Sequence, residues 1–223
     1  MLKIDNFPHA QYDPSTKLGF LAYYYPSTAV RDRVLSEEDW RYGSYSPEIL
    51  NYKEGRDEDI KRFVDPFLKL IRHAIAEFKA STALLVPVPS SMAASDPQFS
   101  TVPRKKWVQG SRNRDNRNSV FCSMLASADG TLKVADYLVR TTTKPEKATW
   151  TSDQHAKSMD LRAISALPAG RVALIAIDDV KTDGGTLQGA RLLLEKAYPQ
   201  AIVIALAIGC TRAPQQFVPL ATT

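Results

Sequence analysis

The pattern of hydrophobic and polar positions is most informative between residues 171 and 195. Residues 172–177 (VALIAI) are an unbroken apolar run, which predicts a short strand buried on both faces of a sheet. After Thr186 the apolar residues recur at helical spacing, at Leu187, Ala190, Leu193 and Leu194. The pattern therefore predicts a strand, a glycine-containing turn and a helix in immediate succession.

Polar residues fill the junction between this strand and this helix. Asp178 and Asp179 follow the apolar run, at the strand end where open α/β sheets bind their ligands. The turn and the helix start comprise Lys181, Thr182, Asp183, Gly184, Gly185 and Thr186. Backbone N–H groups of such a turn can hold an anion while the two carboxylates face a polyol or a metal ion. An acidic pair in a solvated loop is the alternative.

Residues 57–79 have the repeat of an amphipathic helix. Apolar side chains recur three or four positions apart, at Ile60, Phe63, Val64, Phe67, Leu68, Ile71, Ala74, Ile75 and Phe78. Pro66 interrupts the repeat, which predicts either a kinked helix or two successive helices.

The remaining segments predict further strands and helices. We expect strands at 18–25, 83–88, 136–140 and 201–208, and a helix at 119–126. Ser152 and Asp153 are candidate caps of another helix, which would carry Gln154, Lys157, Leu161 and Arg162. Strands that alternate with helices in this way are typical of an α/β fold.

The N-terminal hood, residues 1–52, differs in composition from the predicted core domain, residues 53–223. The hood contains seven of the nine tyrosines. We expect an aromatic-rich sheet that packs over one edge of the core. The alternative is a cover whose aromatic faces stack on a planar ligand such as a base.

Two loops carry candidate anion ligands. Val88, Pro89, Ser90 and Ser91 end the predicted strand at 83–88, either as a rigid anion-binding loop or as a simple stop to the strand. Residues 95–118 are polar and basic, with Arg104, Lys105, Lys106, Arg112, Arg114 and Arg117. Three interpretations of this segment are open. It is a solvated basic run, or a flexible lid in which Arg112, Arg114 and Arg117 cover pyrophosphate, or a nucleic-acid contact through residues 104–117.

Composition narrows the class of protein. The 223 residues, 44% hydrophobic and 24% charged, suit one globular domain, and the net charge of +5 suits phosphate-bearing ligands. Two cysteines argue against a disulfide framework and a cysteine zinc site, and the three histidines lack ligand spacing. Without a signal-like or membrane-length apolar segment, we expect a soluble cytoplasmic protein with no membrane contact.

Residues 175–186 (IAIDDVKTDGGT) resemble the signature of the type I phosphoribosyltransferases: an apolar run, two acids, two variable positions and a Thr/Gly-rich loop. Other segments follow the order of the ComF branch of that family: YSPEILNYKEGRDEDI, VPVPSS, RNRDNRN and LVRTTTKPEKATWTSDQHAKSMDLR. The resemblance covers roughly residues 45–210. It departs from the family at Asp183, where members usually have a small neutral residue, and in lacking the N-terminal Cys-x-x-Cys zinc element.

The resemblance implies a type I phosphoribosyltransferase-like core, a mostly parallel sheet flanked by helices, beneath the small hood. It implies binding of phosphoribosyl pyrophosphate and Mg²⁺, and transfer of the phosphoribosyl group to a nitrogen acceptor with release of pyrophosphate. Asp178 and Asp179 would engage the ribose hydroxyls near Mg²⁺, residues 181–186 the 5′-phosphate, and residues 88–91 with the lid the pyrophosphate. Arg162 would match the family's helical arginine.

Some relatives of this family are regulators. A non-catalytic nucleotide-sensing or nucleic-acid-binding protein on the same fold is therefore the alternative. A homodimer is a further expectation.

Overall fold

The computed structural model describes residues 2–97, 116–145, 149–162, 166–181 and 185–220. Its elements in chain order are β1 (Gln11–Asp13), β2 (Leu18–Tyr24), α1 (Thr28–Arg31), α2 (Glu37–Tyr42), α3 (Ser46–Lys53), α4 (Asp57–Arg62), α5 (Val64–Glu77), β3 (Thr82–Pro87), α6 (Arg117–Ala128), β4 (Leu132–Val134), β5 (Leu138–Arg140), α7 (Ser152–Lys157), β6 (Met159–Leu161), β7 (Val172–Lys181), α8 (Thr186–Ala197) and β8 (Ile202–Thr211).

In the part of the chain that the structure describes, the main sheet has six strands in the order β1-β2-β8-β7-β3-β4. All neighbouring strands in it run parallel except β1, which is antiparallel to β2. β5 and β6 pair separately as a small antiparallel sheet. The predicted α/β fold with a mostly parallel sheet is confirmed.

The centre of the main sheet is buried on both faces. Ala173, Ile175 and Ile177 of β7 pack into one hydrophobic cluster with α5 and α6, while Leu174 and Ala176 pack into a second cluster with α8. Because helices cover both faces, a polar residue at any of these positions would be costly. This explains the unbroken apolar run of the sequence.

The amphipathic stretch at 57–79 divides into α4 and α5, as one of the two alternatives predicted. The break lies at Phe63, which is the C-cap of α4 and the N-cap of α5. Pro66 lies in the first turn of α5, where a missing N–H removes no intrahelical hydrogen bond.

The tyrosine-rich hood contributes strands to the main sheet. β2 pairs in parallel with β8, from Leu18 opposite Ala205 to Tyr24 opposite Thr211. Tyr25 and Tyr52 are fully buried, whereas Tyr42 is 77% exposed. Residues 1–52 are thus continuous with the sheet of the core through backbone hydrogen bonds.

The helix expected to run from residue 152 to Arg162 is wrong in two respects. Its N-cap is Thr151, whose hydroxyl accepts from the Gln154 N–H, and the helix ends at Lys157. Leu161 belongs to β6, and Arg162 follows that strand. The strand forms because Met159 to Leu161 pair with β5, a contact that the local helical spacing could not reveal.

No helix among the described residues is both long and apolar enough to cross a membrane.

Candidate functional site

The two acids lie within β7, not directly after it as the sequence predicted. β7 continues to Lys181 because β8 pairs with it that far, with Asp178 opposite Ala207 and Lys181 opposite Cys210. On the other side of β7, β3 pairs with it only as far as Ile177. The acids therefore have a neighbouring strand on one side, and α6 approaches them.

Asp179 forms a buried ion pair with Arg117. The Arg117 Nε lies 2.9 Å from the Asp179 Oδ2, and the two side chains are 14% and 8% exposed. Burial opposes ionisation of Asp179, but the charges of Arg117 and Lys53 outweigh it and lower its pKa to about 2. Asp179 is thus a permanent anion, compensated by the first residue of α6.

Asp178 accepts its hydrogen bonds from neutral donors. Its Oδ1 accepts from the Asn118 Nδ2 at 3.1 Å and from the Asp179 N–H at 2.8 Å. Burial, and then the neighbouring charge of Asp179, raise the pKa of Asp178 to about 7. The two carboxylates therefore differ in charge near neutral pH, one ionised and the other partly protonated.

Asn118 joins the acids to the loop at 88–91. Its Nδ2 also donates to the Val88 carbonyl at 2.8 Å, and its Oδ1 accepts from the Tyr52 hydroxyl at 3.1 Å. The Val88 N–H in turn donates to the Ile177 carbonyl at 2.9 Å. The end of β3 and the acidic part of β7 are held together as one unit.

Buried Arg140 fixes the rest of that loop. Its Nε donates to the Ser90 carbonyl at 2.9 Å, and the Ser91 carbonyl accepts from the Lys144 N–H at 2.8 Å. Burial lowers the pKa of Arg140 to about 10, so the guanidinium is still charged at neutral pH. Among the described residues the Arg140 Nη2 is buried without a hydrogen-bond partner.

A cleft of about 110 Å³ opens beside this loop. Pro89, Ser90, Asn116, Arg140 and Arg162 are among the residues that line it. Arg162 is half exposed and paired with Asp136. The structure thus brings Arg162 to the loop at 88–91, although from the position after β6 and not from a helix.

The other side of the site is the start of α8. Gly185 is its N-cap, and the Thr186 Oγ1 lies 3.3 Å from the Nδ1 of buried His155 on α7. Lys181 ends β7. Thr182, Asp183 and Gly184 of the predicted phosphate loop lie outside the described residues, as do Arg112 and Arg114 of the predicted lid.

Arg117, the third predicted lid residue, begins α6. Its contact with Asp179 holds the guanidinium inside the protein and away from the solvent-exposed surface that phosphates of a nucleic acid contact. The rest of the basic segment at 104–117, apart from Asn116, lies outside the described residues. The nucleic-acid contact stays a prediction.

Sequence reasoning missed four residues of this site: Tyr52, Asn118, Arg140 and His155. Asn118 stood within the quoted RNRDNRN segment, so its motif was a usable signal. The other three also lie in segments that follow the ComF order, but each acquires its role through a partner at least 31 positions away, so no local spacing singles it out.

The acidic pair fits Mg²⁺ only together with a ligand. Among the described residues no group of three or more His, Cys, Asp or Glu side chains could hold a metal ion. Mg²⁺ usually takes one or two carboxylates plus phosphate oxygens and water. Asp178 suits that role, since its Oδ2 accepts no hydrogen bond from a described residue, whereas the Oδ2 of Asp179 faces Arg117.

Comparisons with known proteins do not identify a family. The chain matches no protein-family model and no curated protein sequence.

Proposed function

We propose that the chain binds phosphoribosyl pyrophosphate and transfers its phosphoribosyl group to a nitrogen acceptor. The observation that carries this proposal is the buried acidic pair, Asp178 and Asp179, between the loop at 88–91 and the start of α8. Two carboxylates at the carboxyl edge of a parallel sheet suit a diol. The loop and the helix start on either side suit the two phosphate-bearing ends of such a ligand.

In this proposal the bond between C1 of the ribose and the pyrophosphate oxygen breaks, and a bond from C1 to the acceptor nitrogen forms. The acceptor loses a proton, and pyrophosphate leaves. Positive charge develops on the ribose ring, so a carboxylate beside it stabilises the transition state more than the ground state. Asp178 and Asp179 hold the hydroxyls. Asp178 would also hold Mg²⁺, which together with phosphate oxygens would supply positive charge beside the pyrophosphate.

The buried ion pair has a direct consequence for this chemistry. A ribose hydroxyl that hydrogen-bonds to the Asp179 Oδ2 shares that oxygen with Arg117. Arg117 therefore either moves outward on binding or holds the carboxylate so that ribose contacts Asp178 first. Binding without turnover, as in a nucleotide-sensing protein, is the second candidate function, and this occupied carboxylate is the observation that favours it.

The test is calorimetric titration of phosphoribosyl pyrophosphate with Mg²⁺ into the wild type and Asp178→Asn. Asparagine keeps the oxygen that accepts from Asn118 and removes the charge, so we expect a loss of affinity of at least tenfold. Asp129→Asn is the matched control. Asp129 pairs with Arg72 before β4, at the opposite edge of the sheet. Absence of binding to the wild type contradicts the proposal.

Release of pyrophosphate separates the two candidate functions. Wild type with bound phosphoribosyl pyrophosphate is incubated with a panel of purine and pyrimidine bases, and pyrophosphate is quantified. Release with at least one base, lost in Asp178→Asn, supports transfer. Tight binding with no release from any base supports the sensing function.

A further inference from the structure

Helix α7 packs against α8 at the start of the proposed phosphate site. Thr186 and Gly189 lie three positions apart, so both face the same side of α8. A Cβ added at Gly189 would lie 2.7 Å from the His155 Cβ and 2.7 Å from the Ser152 carbonyl oxygen. Only glycine permits this approach, and the approach fixes His155 beside Thr186.

The imidazole of His155 is enclosed. The residue is 2% exposed, and the edge of the Trp150 ring lies against it with centroids 5.4 Å apart. Burial, and then the charges of Arg140 and Lys144, lower the pKa of His155 to about 4. At neutral pH the ring therefore carries a single N–H, on either Nδ1 or Nε2.

The contact between the Thr186 Oγ1 and the His155 Nδ1, at 3.3 Å, has two hydrogen-bond directions. With the proton on Nε2, the Thr186 hydroxyl donates to Nδ1 and its proton is used inside the protein. With the proton on Nδ1, the imidazole donates, and the hydroxyl proton is free to point elsewhere. The tautomer of His155 therefore decides where Thr186 can donate.

We propose that His155 is a positioning residue that holds the Thr186 hydroxyl so that it donates to a phosphate monoester at the start of α8. This inference rests on the proposed function. Phosphate oxygens accept hydrogen bonds and cannot donate when fully ionised, so a bound phosphate favours the Nδ1–H tautomer. Gly185 has no side chain to cap α8, and among the described residues no side chain takes its place, so the first-turn N–H groups suit the same anion.

The direct measurement is the ¹⁵N NMR spectrum of the histidine ring nitrogens in the full chain, titrated with inorganic phosphate and then with phosphoribosyl pyrophosphate. Three histidines are present, and His155→Asn identifies the signal of His155 by its absence. We expect the His155 signals to shift towards the Nδ1–H pattern as ligand binds. A merely structural histidine would keep its tautomer.

Substitutions give a second readout. His155→Leu removes the donor to Thr186, and we expect phosphoribosyl pyrophosphate to bind about tenfold more weakly, the typical effect of one hydrogen bond to a charged system. His155→Asn keeps an N–H donor near the Nδ1 position and should restore affinity to within about threefold of wild type. Thr186→Val should match His155→Leu, and the double variant should lose little more than either single variant.

The outcomes separate this inference from the proposed function. If the wild type binds neither phosphate nor phosphoribosyl pyrophosphate, both are wrong. If the wild type binds with unchanged His155 ring signals, and His155→Leu binds the ligand equally well, only the role of His155 is wrong. If His155→Leu fails to fold, the NMR titration of the wild type and the affinity of His155→Asn decide the question.

Discussion

The acid side of the site, where β7 meets α6, is stabilised by charge compensation, whereas the hydroxyl side, where α7 meets α8, is stabilised by close packing of neutral groups. On the acid side, Arg117 and Asn118 supply donors to two buried carboxylates. On the hydroxyl side, Gly189 lets His155 approach Thr186. The acid side should therefore respond to changes of charge and pH, and the hydroxyl side to changes of volume.

The largest expected effect comes from breaking the buried ion pair. Asp179→Asn breaks the ion pair that holds Arg117 in a largely buried position, and we expect a loss of about 3–5 kcal/mol in the free energy of unfolding. Urea denaturation at pH 7 measures it. Arg117→Met in the same chain also removes the buried guanidinium charge, so the double variant should be more stable than Asp179→Asn alone. A double variant that is less stable would mean that charge compensation does not govern this side.

The ion pair between Arg117 and Asp179 determines which acid should be substituted in tests of ligand binding. Asp178 and Asp179 are adjacent and equivalent in the sequence. Substitution of Asp179 should destabilise the fold, whereas substitution of Asp178 removes a carboxylate whose burial is unfavourable. Asp178→Asn is therefore the cleaner probe of ligand binding.

The second expected effect is a pH dependence due to Asp178. The pKa is about 7 in the folded protein against an ordinary value of 3.8, so the folded state binds more protons between these values. The contribution of this group to stability is fully present below about pH 4 and is lost as the pH rises towards 7. Relative to Asp178→Asn, wild type should lose up to about 1.4 kcal/mol per pH unit in that window.

Two other groups must be separated from this effect. The lowered pKa of Asp179 contributes stability that is lost only as the pH falls below about 4. The lowered pKa of His155 makes stability rise with pH from about 4 to 6.5, which opposes the effect of Asp178. Both groups remain in Asp178→Asn, and Asp179 stays ionised between about pH 4 and 7. Within that window the difference between the two urea denaturation curves therefore reports on Asp178. A difference that does not change with pH would contradict the raised pKa.

Much of the fold was predictable because its signals are local. The unbroken apolar run gave β7, the period near 3.6 gave α4 and α5, and Pro66 signalled their division. The extension of β7 through the acids was not predictable, because it depends on pairing with β8. The predicted end of α7 and the predicted helical position of Arg162 were wrong for the same reason. Residues 159–161 pair with β5 as a strand and do not continue the helix.

The candidate site was predictable in its acids but not in their environment. Two adjacent aspartates after an apolar run were visible in the sequence, but the ion pair joins positions 117 and 179, which are 62 residues apart. In the sequence His155 has no partner at ligand spacing, because Thr186 lies 31 positions away. Contacts between such distant positions produce no regular spacing in the sequence, so they could not be predicted from it.

On the hydroxyl side, the third expected effect is a packing defect. Gly189→Ala places a methyl group 2.7 Å from both the His155 Cβ and the Ser152 carbonyl, so α7 must move away from α8. Overpacking of this kind costs about 1–3 kcal/mol, measurable by urea denaturation. Gly130→Ala is the matched control, because its added Cβ meets nothing within 4 Å. Equal stability of the two variants would show that the helices are not in close contact.

The smallest expected effect concerns the N-cap of α7. The Thr151 hydroxyl accepts from the Gln154 N–H, and the Gln154 side chain accepts from the Thr151 N–H, so both groups of the capping box hold the first turn. Thr151→Ala should cost about 1 kcal/mol. Ser36→Ala removes a comparable cap from α2, where Ser36 accepts from the Asp39 N–H, and should cost a similar amount.

The two cap variants should differ in their effect on ligand binding. α7 has only six residues, so a frayed first turn extends close to His155 and loosens its hold on Thr186. Thr151→Ala should therefore weaken binding of phosphoribosyl pyrophosphate, whereas Ser36→Ala should leave it unchanged at equal cost in stability. Calorimetric titration of both variants measures this. Equal affinities would mean that the Thr186 hydroxyl is held by α8 alone, and that packing against α7 stabilises the fold without positioning the ligand.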